Sequence, residues 1–137
     1  MHKRGTPKDM QKKLNPRANM VKEFDKFIEK RLKILDKMKF NLKKVWFDPG
    51  IGFGKTLNQN LQLMRSLSKY SHKNLQILLG SSRKSWINFI DPSNANQRIG
   101  GSLASITHAL QQNVNTFRIH DVQETNQMIK VLKALNK

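Results

Sequence analysis

The stretch Val45-Trp46-Phe47-Asp48-Pro49-Gly50-Ile51-Gly52-Phe53-Gly54-Lys55-Thr56 sets an acid at the end of an apolar run, followed by a glycine-rich turn and a Lys-Thr pair. Gly50, Gly52 and Gly54 permit positive φ and a close approach of ligand to backbone, while Pro49 stiffens the exit from the strand. A strand, a loop built for binding and a helix are therefore expected in that order. A glycine-rich strand-to-helix turn without function would explain Gly50 and Gly54, but it gives no reason for an acid at the end of a hydrophobic strand.

A nucleotide P-loop is the obvious rival, and it needs four residues between its first glycine and the Gly-Lys-Thr, so that successive amides wrap a phosphate. Pro49 occupies the place of that first glycine, and Gly50 leaves only Ile51, Gly52 and Phe53 between. The ring of amides closes one residue short, which argues against an NTPase.

Upstream, Asn15-Pro16 is expected to cap and open a helix, and Val21, Phe24, Ile28, Leu32, Leu35 and Met38 recur at spacings of three or four, as on one helix face. A strand is expected over 44–47, then a helix with Leu61, Met64 and Leu67 on one face. Leu75, Ile77, Leu78 and Leu79 form a second strand ending at Gly80. A short helix begins near Lys84 and is interrupted by Pro92; Gly100-Gly101 opens another, with Leu103, Ile106 and Leu110 in register. Thr116 to Ile119 reads as a third strand. Asp121 and Glu124 have the spacing of a capping box for a last helix carrying Met128, Val131, Leu132 and Leu135. Alternation of helix and strand predicts an α/β fold with a parallel sheet and crossover helices. Three strands alone neither cover such a sheet nor protect its edges.

At 137 residues the chain fits one modest core, so a single unit over 1–137 is expected. No apolar run approaches the ~20 residues of a membrane span, the start Met1-His2-Lys3-Arg4-Gly5 has no secretion-signal character, and the lack of cysteine suits a reducing compartment. The cytoplasm is the expected location, with no membrane partner. A net charge of +17 raises nucleic-acid binding as a hypothesis. Residues 1–44 hold 15 of the 26 basic groups and 5 of the 9 acids, so the excess is spread along the chain, and the aromatics do not interleave with it. That distribution argues against nucleic acid and suits solvated helix faces; the charge would still attract an anionic small substrate.

Every chemically capable cluster follows a predicted strand: Asp48 after the first, Ser81-Ser82-Arg83-Lys84 after the second, Arg118 and His120 at the end of the third. Carboxyl ends of parallel strands share one face, so one pocket is expected. Arg118 and His120, two apart, point to the same side and suit a polyphosphate. A barrel-interior ion pair for Arg118 and a satisfied core position for His120 explain them as well, and for that pair alone the structural explanation has the edge. One of Ser81 and Ser82 is expected to cap the following helix. Lys84 in its first turn is badly placed for the helix dipole, which favours function. Asp121 and Glu124 are assigned to capping, His72, His108 and the methionines to surface or packing, and no spacing suggests a metal site made by this chain alone.

Together, Met1-His2-x-x-Gly5-x-Pro7-x-x-Met10-Gln11, Asp48 to Thr56 with Asn60-Leu61, Gly80-x-Ser82-Arg83-Lys84-Ser85, Arg98-x-x-Gly101-Ser102-Leu103-Ala104 and Arg118-x-His120-Asp121-Val122 resemble the dihydropteroate synthase family of the folate pathway. The resemblance runs the full length. It implies the C-terminal portion of a (β/α)₈ TIM barrel, from the tip of strand five to helix eight, of a fold that takes ~250 residues. It also implies a transferase that joins 6-hydroxymethyl-7,8-dihydropterin pyrophosphate to p-aminobenzoate, releasing pyrophosphate with magnesium.

By that resemblance Asp48 pairs with the pterin's amino-pyrimidine edge, Lys84 reaches the ring carbonyl and N5 side, and Arg83 stacks on the ring. Arg118 and His120 hold the departing pyrophosphate; Lys84, Arg118 and His120 are the expected catalytic set. Ser82, with the helix start behind it, receives the p-aminobenzoate carboxylate, and Phe53 walls that pocket. The family's first four strands are absent, and with them its magnesium-linked Asn and half of the pterin pocket. Lys3 replaces a usual Met, and Gln59 stands where His often precedes the Asn. The chain alone is therefore expected to be inactive unless an N-terminal half polypeptide supplies the rest, and the complete enzyme is expected to be a homodimer. A basic nucleic-acid-binding α/β module and an inactive residual fragment are the competing expectations.

Overall fold

Phe47, Ile77 and Leu79 are each almost wholly buried, and they alternate along their strands with the more exposed Trp46, Gln76 and Leu78. One face of a sheet is thus packed and the other left open. The computed structural model describes residues 1–137 apart from Pro7, Lys13, His72, Asn74 and Lys137. Pro7 of the opening motif and His72 therefore lie outside the described residues.

The sheet has three parallel strands, β1 (Trp46–Phe47), β2 (Gln76–Leu79) and β3 (Thr116–Phe117), in the order β1-β2-β3. Trp46 pairs with Gln76 and Leu78 with Thr116. On the open face the Trp46 indole N–H crosses β2 to donate to the Thr116 hydroxyl, 3.2 Å away. Trp46 remains 46% exposed there.

The packed face meets helices. α1 (Met20–Lys37) buries Met20, Phe24 and Ile28 and packs Leu32 and Leu35 partly against the core, whereas Met38 beyond its end is exposed. Phe24 packs edge-on against Tyr70 with ring centroids 4.9 Å apart; truncating such a side chain costs about 3–5 kcal/mol. α2 (Leu57–Arg65) contributes Leu63 and Met64, α3 (Ser68–Ser71) contributes Tyr70, α4 (Ser85–Asn88) contributes Trp86 and Ile87, and α5 (Ile99–Gln111) contributes Ile106 and Ala109. α6 (Val122–Leu135) packs against α5.

Several boundaries differ from the sequence expectations. α1 is capped by Asn19, whose side chain accepts from the Lys22 amide at 3.0 Å; Asn15 instead accepts from the Arg17 amide in a turn, and its carbonyl receives the buried Gln59 amide at 2.7 Å. Leu42–Lys44 form a 3-10 turn, which delays β1 to Trp46. α2 stops at Arg65, before the fully buried Leu67. β3 pairs only through Phe117, although the Arg118 amide still donates to the Leu79 carbonyl at 2.9 Å. No described helix is long and apolar enough to cross a membrane.

Candidate active site

The β1–α2 loop is set by the chain around it. Gly50 has φ +65°, and a Cβ there would lie 1.8 Å from the His2 carbonyl oxygen, so only glycine lets the N-terminal segment press against the turn. The His2 amide in turn donates to the Asp48 carbonyl at 2.8 Å. Asp48 closes its own turn by accepting from the Gly50 amide at 2.7 Å, and Asn60, on α2, accepts from the Gly52 amide at 2.7 Å. α2 itself begins with a complete capping box between Thr56 and Gln59. The loop's ends are therefore fixed before any ligand arrives.

The β2–α4 loop carries Ser81 to Lys84. Arg83 adopts φ +56°, a left-handed backbone that costs a non-glycine residue about 1–2 kcal/mol. Its neighbours hold it there: the Arg83 amide donates to Ser102 Oγ at 2.9 Å, and Arg98 Nη1 donates to the Arg83 carbonyl at 3.0 Å. The sequence alone assigns Arg98 and Ser102 no role; bracing this turn is what they do in the structure.

With Arg83 turned in this way, Lys84 Nζ reaches back to the Ile51 carbonyl and lies 4.3 Å above the centre of the Phe53 ring. Burial pushes the Lys84 ammonium down to about 8, with Asp48 opposing the fall and Arg118 reinforcing it. Arg118 crosses β2 at Gly80, its Nη2 only 3.1 Å from where a Cβ would stand. Arg118 and His120 are both exposed, with half-buried Ile119 between them, and His120 Nδ1 sits 3.1 Å from Ser82 Oγ. Asp48, Phe53, Ser82, Lys84, Arg118 and His120 thus gather over the carboxyl ends of three adjacent strands.

Two expectations fail at this edge. Neither Ser81 nor Ser82 caps α4: Ser81 shares a hydrogen bond with Ser105 Oγ at 2.7 Å, Ser82 serves His120, and Lys84 occupies the cap position without a side-chain bond, leaving exposed Ser85 to open the helix. Asp121 and Glu124 form no capping box, because the Asp121 side chain caps nothing. Its carboxylate instead receives Nε of Arg83 at 3.0 Å and Nη2 of the same guanidinium, while Arg83 Nη1 donates to Asn96. A bidentate Arg–carboxylate pair outcompetes a cap bond to one amide. The edge of the guanidinium is thereby committed, and the side chain remains 30% exposed.

The donor set does not suit a magnesium ion, which takes oxygen ligands from carboxylates and water. Asp48 lies among Lys55, Lys84 and Arg118, the Asp121 carboxylate at the same edge is taken by Arg83, and no three His, Cys, Asp or Glu side chains come together among the described residues.

Parallel strands with crossover helices on one face, and ligand-type side chains at the strands' carboxyl ends, define part of a (β/α)₈ barrel enzyme. A family profile described as "Pterin binding enzyme" matches residues 1–120, and the chain belongs to that family. It is 35% identical over 135 residues to the dihydropteroate synthase of Escherichia coli strain K12, covering 98% of this chain and 47% of that protein. The Yersinia pestis dihydropteroate synthase, solved with a sulfonamide drug, superposes with a TM-score of 0.89 at 32% identity over 98% of this chain and 49% of that one. The Thermus thermophilus enzyme in complex with 6HMPPP gives 0.83 at 31% identity over 96% and 52%. The chain spans about half the length of these relatives.

Proposed function

We propose that these strand ends form the later half of a dihydropteroate synthase active site, within a unit of 1–137 running from the tip of barrel strand five to helix eight. The observation that carries this reading is the meeting of Asp48, Lys84 and the Arg118/His120 pair on one edge of the sheet. Asp48 accepts from the amino-pyrimidine edge of the pterin, Lys84 leaves the Ile51 carbonyl for the ring's carbonyl and N5 side, and Arg83, locked edge-on by Asp121, offers a face to the ring.

In the reaction, a C–N bond forms between the amine of p-aminobenzoate and the exocyclic methylene as the C–O bond to pyrophosphate breaks. The electron pair leaves with pyrophosphate and the amine gives up one proton. Arg118 and His120 bind the anion as its charge develops, the point at which fixed donors lower the barrier most. Phe53 walls the p-aminobenzoate pocket beside Lys84. Ser82 receives the p-aminobenzoate carboxylate, its hydroxyl also meeting His120 Nδ1 at 3.1 Å.

The open sheet face with Trp46 exposed, and the outer edges of β1 and β3, which pair with no further strand among the described residues, support completion by strands that the full-length relatives possess. Those strands, whether on the same or another polypeptide, supply the other half of the pterin pocket, and the completed barrel is a homodimer. Mixing the chain with a polypeptide carrying barrel strands one to four tests this. Dihydropteroate formation is expected to appear on mixing and to fall by about 100-fold or more in Asp48→Asn or Lys84→Ala. Formation by the isolated chain would overturn the need for a second half. DNA or RNA binding with a steep salt slope, indifferent to both substitutions and without pterin binding, would replace the reading altogether.

A further inference from the structure

Lys55 has no part in the chemistry above, yet it is the most deeply buried charged side chain, at 3% exposure. Among the described residues no carboxylate lies within 4 Å of its ammonium. Nζ donates instead to three backbone carbonyls: Gly50 at 2.8 Å, Phe53 at 3.1 Å and His2 at 3.2 Å. An ammonium has three N–H donors, and all three are used. Burying a charge without a counter-ion is costly unless something is gained by it. Burial accordingly pushes the Lys55 ammonium down to about 8; Asp48 and Glu23 oppose the fall, Lys84 and Arg4 reinforce it.

The three carbonyls belong to two segments that no strand pairing joins among the described residues. His2 lies in the N-terminal segment, where the fifth strand of the barrel ends, and Gly50 and Phe53 bracket the loop after β1. Of the loop's other two carbonyls, Gly52's accepts from Gln11 Nε2 at 2.6 Å and Ile51's is gripped by Lys84 from the ligand side. When Lys84 moves to a substrate it gives up that carbonyl, and Lys55 is then the cation still holding the loop.

We propose that Lys55 is a positioning residue: its ammonium pins the Gly50–Phe53 turn to the N-terminal segment, so that Asp48 and Phe53 stay at the strand ends when Lys84 is released. The ligand part of this inference rests on the synthase reading; the loop part does not.

Hydrogen exchange on the full chain tests it. The amides of His2, Gly50, Gly52 and Phe53 are all hydrogen-bonded. In Lys55→Met they are expected to exchange at least 10-fold faster while those of α5 keep their rates, and Lys55→Arg is expected to restore most of the protection. Dihydropterin pyrophosphate is expected to bind Lys55→Met at least 10-fold more weakly. Unchanged loop amides, or equal acceleration throughout the chain, would overturn the proposal. Should Lys55→Met fail to fold, ¹⁵N-ζ spectra of the wild type decide: a caged ammonium shows slowly exchanging protons at neutral pH, and exchange at the rate of surface lysines would overturn it. Loss of local protection in a chain that binds no pterin pyrophosphate would uphold the loop role and sink the synthase reading instead.

Discussion

Arg118 lies across the backbone of Gly80 on the neighbouring strand, with Nη2 3.1 Å and Nε 3.4 Å from the position of a Cβ at that glycine. At the ends of consecutive strands, the pair places a guanidinium over the central strand because no side chain projects from Gly80 to displace it.

Gly80→Ala is expected to push the exposed guanidinium aside by a few tenths of an ångström while leaving the fold intact. Its backbone φ is not in the left-handed region, so alanine brings no strain there. Pyrophosphate affinity measured by calorimetry should fall by roughly 3- to 10-fold, about 1 kcal/mol for a weakened charge-assisted contact, with the urea midpoint unmoved. A large drop in stability with affinity retained would show that Gly80 serves packing alone.

The adjacent glycines of α5 are expected to respond in opposite directions. A Cβ at Gly100 meets nothing within 4 Å, so Gly100→Ala should stabilise by up to ~1 kcal/mol through helix propensity. A Cβ at Gly101 would lie 2.6 Å from Cγ2 of buried Ile87, so Gly101→Ala should destabilise by about 1–3 kcal/mol. Urea unfolding of the two variants checks the sign of each.

His2 gives the fold a pH dependence. Burial, helped by the charges of Lys55, Arg4 and the N-terminus, pushes its imidazole down from 6.5 to about 4. Between those values the unfolded chain binds the extra proton, so stability is whole above 6.5 and is lost as pH falls toward 4. His2 packs against Phe24 and Phe27, with ring centroids at 5.9 and 5.5 Å, so phenylalanine should fit. The urea midpoint of the wild type is expected to drop between pH 6.5 and 4, and that of His2→Phe to drop less. Parallel profiles would contradict this.

The order of elements and the gathering of Asp48, Lys84, Arg118 and His120 were legible because both follow from local pattern: period two or three-to-four in the apolar residues, and polar clusters after each strand. Partner choice was not. Asp121 has the spacing of a cap, yet its carboxylate takes Arg83, 38 residues away, because Arg83's left-handed backbone, braced by Ser102 and Arg98, turns the guanidinium toward it. Asn15 likewise has a cap's sequence, but Gln59 claims its carbonyl from α2, and Asn19 begins the helix. Lys55 read as half of a Lys-Thr pair; only the fold brings His2 to it.

The claim that most depends on the geometry is that one small-molecule cavity draws on all three strand ends. Titrating dihydropterin pyrophosphate into the ¹⁵N-labelled chain tests it most directly. Amide shifts are expected together in 48–54, 80–85 and 118–121, vanishing in Asp48→Asn. Shifts scattered over the lysine-rich surface of 1–44, equal in wild type and Asp48→Asn, would contradict it.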